Sequence, residues 1–367
     1  MNGYYLVLTT IDLFVLSFMG ILTRLSESLN KKQKRGFLLA FALIAGISVM
    51  EIVTLVVDGA PVKYRWLNIA SNFLGFGLSP AVAICLVYVQ DKKSAHRQKI
   101  RFAVGCEIAY LLFLACSVPF GLVFSVSADN VYSRGPHFYI YIVAYFAAIF
   151  YLSLSTVLTA QAFQNRSKAL IYPLIVFLTA ETIVQVATPD LCVTWLCVTL
   201  LAVLYYIYCT EMWNQLDALT GLLNQSSYLH RTAETTRRGG MLVVFDVDNF
   251  KYINDHYGHL QGDVCLAEIA DCIKKAYASY GYCYRIGGDE FCVLLKDTRR
   301  EAACAQEFLR CLEERRQVVT FLPTVSFGTA VLSGENMEKV KEQADRQMYR
   351  HKKERKNSAT EKPAGRN

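Results

Sequence analysis

YRIGGDEFCVLL, residues 284–295, decides the fold of the second half of this chain. It reads as two short apolar runs joined by Gly287-Gly288, with two carboxylates, Asp289 and Glu290, opening the return run. A Gly-Gly pair between β-prone segments predicts a hairpin whose central residues take positive φ. The adjacent acids are not needed for such a turn. Working outward, MLVVFDV (241–247) is another β-rich run, and it too ends in acids, Asp246 and Asp248. NFKYINDHYGHL (249–260) has turn and helix character, and 262–278 is periodic and helical. After the hairpin at 282–295 come a helix near 299–315, a strand at 322–332 and a helix near 336–352. From Glu354 the tail reads as disordered. The order β-α-β-β-α-β predicts an antiparallel sheet covered by helices, an α/β (α+β) domain of ferredoxin-like arrangement.

The first half is different. Of 367 residues, 53% are hydrophobic, and the apolar excess lies before residue 211. Runs near 3–23, 37–58, 66–90, 102–126, 138–163, 169–188 and 190–210 each approach the ~20 residues that span a bilayer as a helix. An all-α transmembrane bundle of about seven helices is expected. The first run lacks a basic leader and a small-residue cleavage site, so it reads as a retained span. Basic residues are unevenly placed: five in 24–35, five in 91–101 and two in 164–168, against Lys63, Arg65 and Arg134 in the alternate loops. That bias predicts a multi-pass protein of the inner (cytoplasmic) membrane, with its N-terminus outside and its second half in the cytoplasm. Polar residues in the spans (Asp12, Glu51, Asn72, Glu107, Glu181, Gln185) either line a pocket or bond between helices.

The net charge of +7 sits mostly in the apolar half, so no basic face in the second half suggests nucleic-acid binding. Twelve cysteines include no C-x-x-C pair, which gives zinc or redox-motif chemistry no support. They read as small buried residues, reduced in the cytosolic half.

The acids at the two strand ends suggest chemistry. Strand 241–247 and the hairpin can lie side by side, bringing Asp246 and Asp289 together. Two carboxylates from neighbouring strands make a hard oxygen site of the kind Mg²⁺ shares with substrate phosphates. Two such ions support phosphoryl-type transfer. A lone D-x-D, or a lone acid pair after a turn, is also a common cap or turn feature.

The whole second half resembles the GGDEF domain of diguanylate cyclases, a cyclase/palm-like fold. DALTGLLN (217–224), DVDNFKYINDHYGHLQGD (246–263), RIGGDEF (285–291), SFG (326–328) and ADRQMYRHKKERKN (344–357) occur in the family's order. The resemblance implies condensation of two GTP molecules to cyclic di-GMP with release of two pyrophosphates. It implies two Mg²⁺ (or Mn²⁺) per active site, held by Asp246, the Val247 carbonyl, Asp289 and Glu290. Glu290 is then the general base, and Lys251 offsets charge at the reacting phosphate. Asn249 and Phe250, at a helix start, would bind phosphates through backbone N–H groups. Lys352 and Lys356 would reach the terminal phosphates. Gly287 and Gly288 would admit the nucleotide, Asp263 with Asn254 would read guanine, and His259 would line the site. Each domain holds one GTP, so a homodimer is implied, regulated by an unidentified small-molecule or membrane signal.

The sequence departs from the pattern twice. Many members have N-R-R where this chain has Asn224-Gln225-Ser226. The family's inhibitory R-x-x-D falls on Ala278 and Gly281, which implies that the primary product-inhibition site is missing. The organisation expected is a membrane domain (1–210), a helical linker (211–216), the GGDEF domain (217–357) and a disordered tail (358–367). The alternative is a catalytically silent GTP-sensing or interaction module on a membrane receptor; intact Asp246, Asp289 and Glu290 argue against it. A transporter is a weaker third reading, because no inverted repeat is visible.

Overall fold

Long apolar runs satisfy their backbone in a bilayer by folding into helices. The computed structural model has six helices long and apolar enough to cross a membrane among its described residues. They lie in α1 (Gly3–Leu25), α2 (Lys31–Val57), α3 (Arg65–Gln90), α4 (Arg97–Ser117), α5 (Tyr139–Ala162) and α6 (Thr194–Asn214). The structure describes residues 3–90, 97–162, 176–177, 179–180, 183, 194–235, 239–332 and 336–360. The sixth expected run, 169–188, lies almost wholly outside these residues, and Glu181 and Gln185 lie outside them too. The chain divides into two compact units, Met1–Trp213 and Asn214–Asn367.

In the first unit, several polar residues are tied up in hydrogen bonds. Ser48 donates to Asp12 at 2.5 Å. Gln90, which hydropathy alone did not single out, is buried between α3, α5 and α6. It donates to Thr156 (2.6 Å) and to Tyr205, and accepts from Ser155 (3.1 Å) and Thr159 (3.2 Å). Burying an amide is costly unless both its ends are bonded, and here both are. An unexpected hairpin, β1 (Phe124–Val126) with β2 (Tyr132–Arg134), joins α4 to α5. Asn130 turns it in the left-handed region at φ 63°, and donates to the carbonyls of Val57 (2.6 Å) and Ala60 (2.9 Å).

The second unit contains α7 (Gln225–Thr235), β3 (Gly240–Val247), α8 (Phe250–Tyr257), α9 (His259–Tyr277), β4 (Gly281–Arg285), β5 (Glu290–Leu295), α10 (Glu301–Val318), β6 (Val325–Leu332) and α11 (Met337–Thr360). The sheet order is β4-β5-β3-β6 with every pair antiparallel. On one face Val243, Phe245, Val247, Phe291, Val293 and Leu295 pack with Leu266, Ile269, Ile273, Phe308 and Leu312 of α9 and α10. Residues of the other parity, Leu242, Val244, Cys292 and Leu294, are buried as well. Helix α11 lies on β3 and β6, and α7 lies on β4. Burial on both faces explains why the β3 run is continuously apolar rather than alternating.

Both outer edges of the sheet are occupied. Along β4, Leu223 N–H donates to the Cys283 carbonyl (3.0 Å) and the Leu223 carbonyl accepts from Arg285 N–H (2.8 Å). Along β6, Thr329 N–H donates to Gln347 Oε1 (2.5 Å) and Phe327 N–H to His351 Nδ1 (3.4 Å), both on α11. Gly328 makes this cover possible: a Cβ there would press into the α11 backbone, 3.0 Å from Met348 Cα among closer atoms.

Three sequence expectations are corrected. Helix α6 ends at Asn214, and Leu216 instead bridges Leu223, so the linker is not helical to its end. Helix α11 runs to Thr360, beyond both Glu354 and residue 358, because its Lys, Glu and Arg residues are good helix formers; residues 361–367 lie outside the described set. Helix α7 was not anticipated, because QSSYLHRTAET is too polar to show a strong apolar stripe.

Candidate functional site

The acids meet where β3 and β5 end together. Asp246 on β3 is directly opposite Glu290 on β5 and Ser326 on β6. Past the strand end, Val247 N–H donates to the Asp289 carbonyl at 3.3 Å, stitching β3 to the turn. Asp246 and Asp289 are half-buried, whereas Glu290 is exposed.

The turn itself corrects an expectation. Neither Gly287 nor Gly288 has positive φ. The loop runs from Ile286 to Asp289 and closes through N–H bonds from Ile286 (3.0 Å) and Gly287 (3.4 Å) to the Glu290 carbonyl. The glycines matter for space instead. A Cβ on Gly287 would come within 3.2 Å of the Glu290 carboxylate, and one on Gly288 would meet nothing within 4 Å. Gly287 therefore leaves Glu290 room, and Gly288 leaves a bare backbone facing open space.

Arg285 holds this loop, and sequence reasoning missed it. Its guanidinium donates to the Gly288 carbonyl through Nη2 (2.7 Å) and Nε (3.3 Å), and to Asp217 through Nη1 (3.1 Å). Asp217 also accepts from the N–H (2.8 Å) and hydroxyl (2.6 Å) of Thr220. Burial alone would raise the Asp217 carboxyl, but the bonds from Thr220 and Arg285 outweigh it and hold the group below its usual range. The motif at 217–224 is thus a brace for the hairpin. Asn224 completes it, donating to the Asn214 carbonyl (2.7 Å) and accepting from Ser227 N–H (2.9 Å) at the start of α7.

The two aspartates of the D-x-D have different surroundings. Asp248 is 8% exposed and accepts from the hydroxyls of Thr324 (2.7 Å) and Ser326 (2.8 Å). It fixes the strand end to β6. Asp246 instead bonds the ammonium of Lys352, which reaches in from α11 and also lies 3.9 Å from Asp248. Burial disfavours the Lys352 charge, but Asp246, Asp248 and Asp289 together raise its pKa above the ordinary lysine value. Asn249 follows in the left-handed region at φ 55° and opens α8 without a side-chain cap. A non-glycine residue held there is a local strain of the kind found at functional sites.

Phe250 packs partly into the core, while Lys251 on the next position is exposed. Asn254 is half-buried against Gly262, where a Cβ would collide with its amide, and Asp263, the next residue, is exposed. His259, at the first position of α9, is exposed. The Lys356 side chain lies outside the described residues. Of the two residues expected to replace the R-x-x-D, Ala278 caps the end of α9 and Gly281 opens β4, where a Cβ would sit 2.6 Å from the Leu294 carbonyl oxygen. No aspartate fits at 281 without moving the strand.

Among the described residues no three acidic, histidine or cysteine side chains form a metal cage. The donors available to a divalent cation are two carboxylates, Asp246 and Asp289, with the Val247 carbonyl. That set suits Mg²⁺, which binds through one or two carboxylates and completes its shell with waters and substrate phosphates. The cationic Lys352 ammonium already lies against Asp246, which marks the place as one that favours positive charge. A separate cavity of about 270 Å³, lined by Asp271, Lys275, Cys311, Glu314, Arg315 and Val318, includes none of these residues. No disulfide joins the described cysteines, and burial pushes Cys265 up to about 11 and Cys283 to about 12. Neither forms a reactive thiolate near neutral pH.

Residues 214–358 match the family described as "Diguanylate cyclase, GGDEF domain". The chain is 37% identical over 145 residues to the diguanylate cyclase DgcS of Shewanella oneidensis, covering 37% of this chain and 49% of that protein. It is 32% identical over 158 residues to the diguanylate cyclase DgcZ of Escherichia coli, covering 40% of this chain and 53% of that protein. The match thus spans about half the length of these curated relatives. Among solved structures, the GGDEF domain of DgcB from Caulobacter crescentus, in complex with c-di-GMP, is 28% identical with a TM-score of 0.33, over 38% of this chain and 90% of that one.

Proposed function

We propose that the GGDEF domain carried by residues 214–358 is the catalytic part of a membrane-bound diguanylate cyclase, which condenses two GTP molecules to cyclic di-GMP. One observation carries the reading: Asp246 at the end of β3 lies opposite Glu290, with Asp289 stitched to Val247 between them. Similarity to curated diguanylate cyclases supports it. The four-stranded antiparallel order β4-β5-β3-β6 supports reading the domain as ferredoxin-like.

In this reading Asp246, the Val247 carbonyl and Asp289 hold Mg²⁺, with Glu290 beside it. The metal, when bound, neutralises charge developing on the phosphates. Glu290, exposed and next to an unobstructed Gly288, takes the proton from a ribose 3′-hydroxyl. That oxygen bonds to the α-phosphorus of the second GTP, and the bond to pyrophosphate breaks. The same exchange in the opposite sense closes the ring and releases the second pyrophosphate. Lys251 offsets charge at the reacting phosphate. Backbone N–H groups at the start of α8, from Asn249 and Phe250, cradle the others. Lys352 and Lys356 serve the terminal phosphates, Asp263 with Asn254 reads guanine N1 and N2, and His259 lines the site. Because one domain binds one GTP, two chains face each other. The apolar first unit embeds in the cytoplasmic membrane, with the basic loops and the catalytic domain in the cytoplasm. A signal acting on it through α6 sets whether the half-sites meet.

The test is turnover of GTP with Mg²⁺ by the detergent-purified chain, beside Glu290→Gln, with nucleotides resolved by chromatography. Cyclic di-GMP from the wild type alone is expected. Absence of product even after enforced dimerisation, with GTP still bound, favours the silent GTP-sensing module.

A further inference from the structure

Lys352 reaches the acids of the candidate site, and its partner there differs from the phosphates assigned to it above. Its ammonium bonds Asp246 and lies 3.9 Å from Asp248. Asp248 is already satisfied by Thr324 and Ser326, so the charge that Lys352 neutralises is mainly that of Asp246. Only 27% of the lysine side chain and 20% of the Asp246 side chain are exposed, so water screens the pair incompletely. Helix α11 is itself held by Gln347 and His351 on β6 and by its close approach at Gly328. The lysine stem is therefore anchored within reach of the carboxylates.

We propose that Lys352 is a resident cation that holds the metal position of the nucleotide-free protein, so that a divalent ion enters together with the triphosphate, which draws the ammonium away. This rests on reading Asp246 and Asp289 as metal ligands. A divalent ion arriving alone meets a like charge and a carboxylate already paired. A metal–triphosphate complex brings negative charge that offers the ammonium a better partner, and the flexible four-carbon stem lets it move. Lys352 thereby makes metal and nucleotide binding cooperative.

The experiment titrates Mn²⁺ alone into the intact 367-residue chain in detergent and follows the free ion by electron paramagnetic resonance. Wild type is expected to bind weakly, and Lys352→Met about tenfold or more tightly. Lys352→Arg, which keeps the charge, is expected to resemble wild type. With a GTP analogue bearing a methylene between the α- and β-phosphorus, the wild type is expected to match or exceed Lys352→Met. Lys352→Gln serves as a second neutral variant, and thermal melts establish that each chain folds. Equal Mn²⁺ affinity of wild type and both neutral variants without nucleotide overturns the proposal, while the metal-site reading survives if Asp246→Asn still weakens Mn²⁺ binding with the analogue. If Asp246→Asn changes nothing in either condition, the metal-site reading falls and takes this inference with it.

Discussion

Replacing Arg285 by alanine removes the side chain that ties the acid-bearing turn to the motif 68 residues earlier. The guanidinium makes a strong bond to the Gly288 carbonyl at 2.7 Å and an ion pair with Asp217 at 3.1 Å. Its side chain is 15% exposed and that of Asp217 is 24%, so each contact is only partly screened. A charge-assisted hydrogen bond contributes about 1.5–3 kcal/mol when well buried; partial exposure lowers this to about 1 kcal/mol each, or about 2 kcal/mol for the pair. The loss is local, because the four-stranded core does not depend on the loop. Hydrogen exchange read by mass spectrometry is the suitable assay. The amides of Ile286 and Val247, bonded to the Glu290 and Asp289 carbonyls, are expected to exchange about thirtyfold faster. Cyclic di-GMP turnover is expected to fall about tenfold or more, since Asp289 and Glu290 lose their fixed geometry. Arg285→Lys, which keeps the charge but not the fork, is expected to fall between. Unchanged exchange at both amides together with unchanged turnover refutes the brace.

Glu290→Gln is expected to lower turnover by about a hundredfold or more while moving the melting temperature little, because the side chain is exposed; a matching loss of stability argues that Glu290 is structural. Gly328→Ala drives a methyl into the α11 backbone and is expected to destabilise the domain by about 2 kcal/mol, seen as earlier proteolysis of the C-terminal helix. Because the Asp217 carboxyl is held below its usual range, its stabilising bonds are fully present above the ordinary aspartate value of about 3.9 and disappear as pH falls through the lower folded value. Asp217→Asn is expected to flatten that acid-side fall in a pH series of melts; an identical slope refutes the assignment. Added cyclic di-GMP is expected not to inhibit turnover at low concentration, since Gly281 has no room for an acid; strong inhibition abolished by changes around 278–281 refutes this.

The strands were legible because their apolar runs are β-rich and bounded by turn residues, and the acids because they fall at strand ends. What the sequence concealed was mostly long-range. Arg285 looks like an ordinary residue beside a motif until Asp217 is brought to it. The D-x-D reads as one unit, yet packing against Thr324 and Ser326 ties Asp248 to the frame and leaves Asp246 to Lys352. Gly287-Gly288 suggests a positive-φ turn, but a four-residue loop lets both stay at ordinary φ, and their smallness serves Glu290 and the open backbone instead. The polar helix α7 and the extension of α11 to Thr360 were hidden because their composition resembles that of loops and tails. Gln90 escaped notice as a single amide at the end of an apolar run, though residues of α5 and α6 close around it.

The covered edges of the second unit's sheet limit how two copies can associate. A bare edge strand invites another chain to add on by main-chain pairing, a mode that is strong, slow to reverse and prone to runaway assembly. Here Leu223 on one side, and Gln347 and His351 on the other, occupy main-chain groups along the edges. In the proposed function, pairing of two such domains would then rest on side chains and loops and not on an added strand. An output that depends on the meeting of two copies can then be turned off simply by separating them, with no strand to be peeled away.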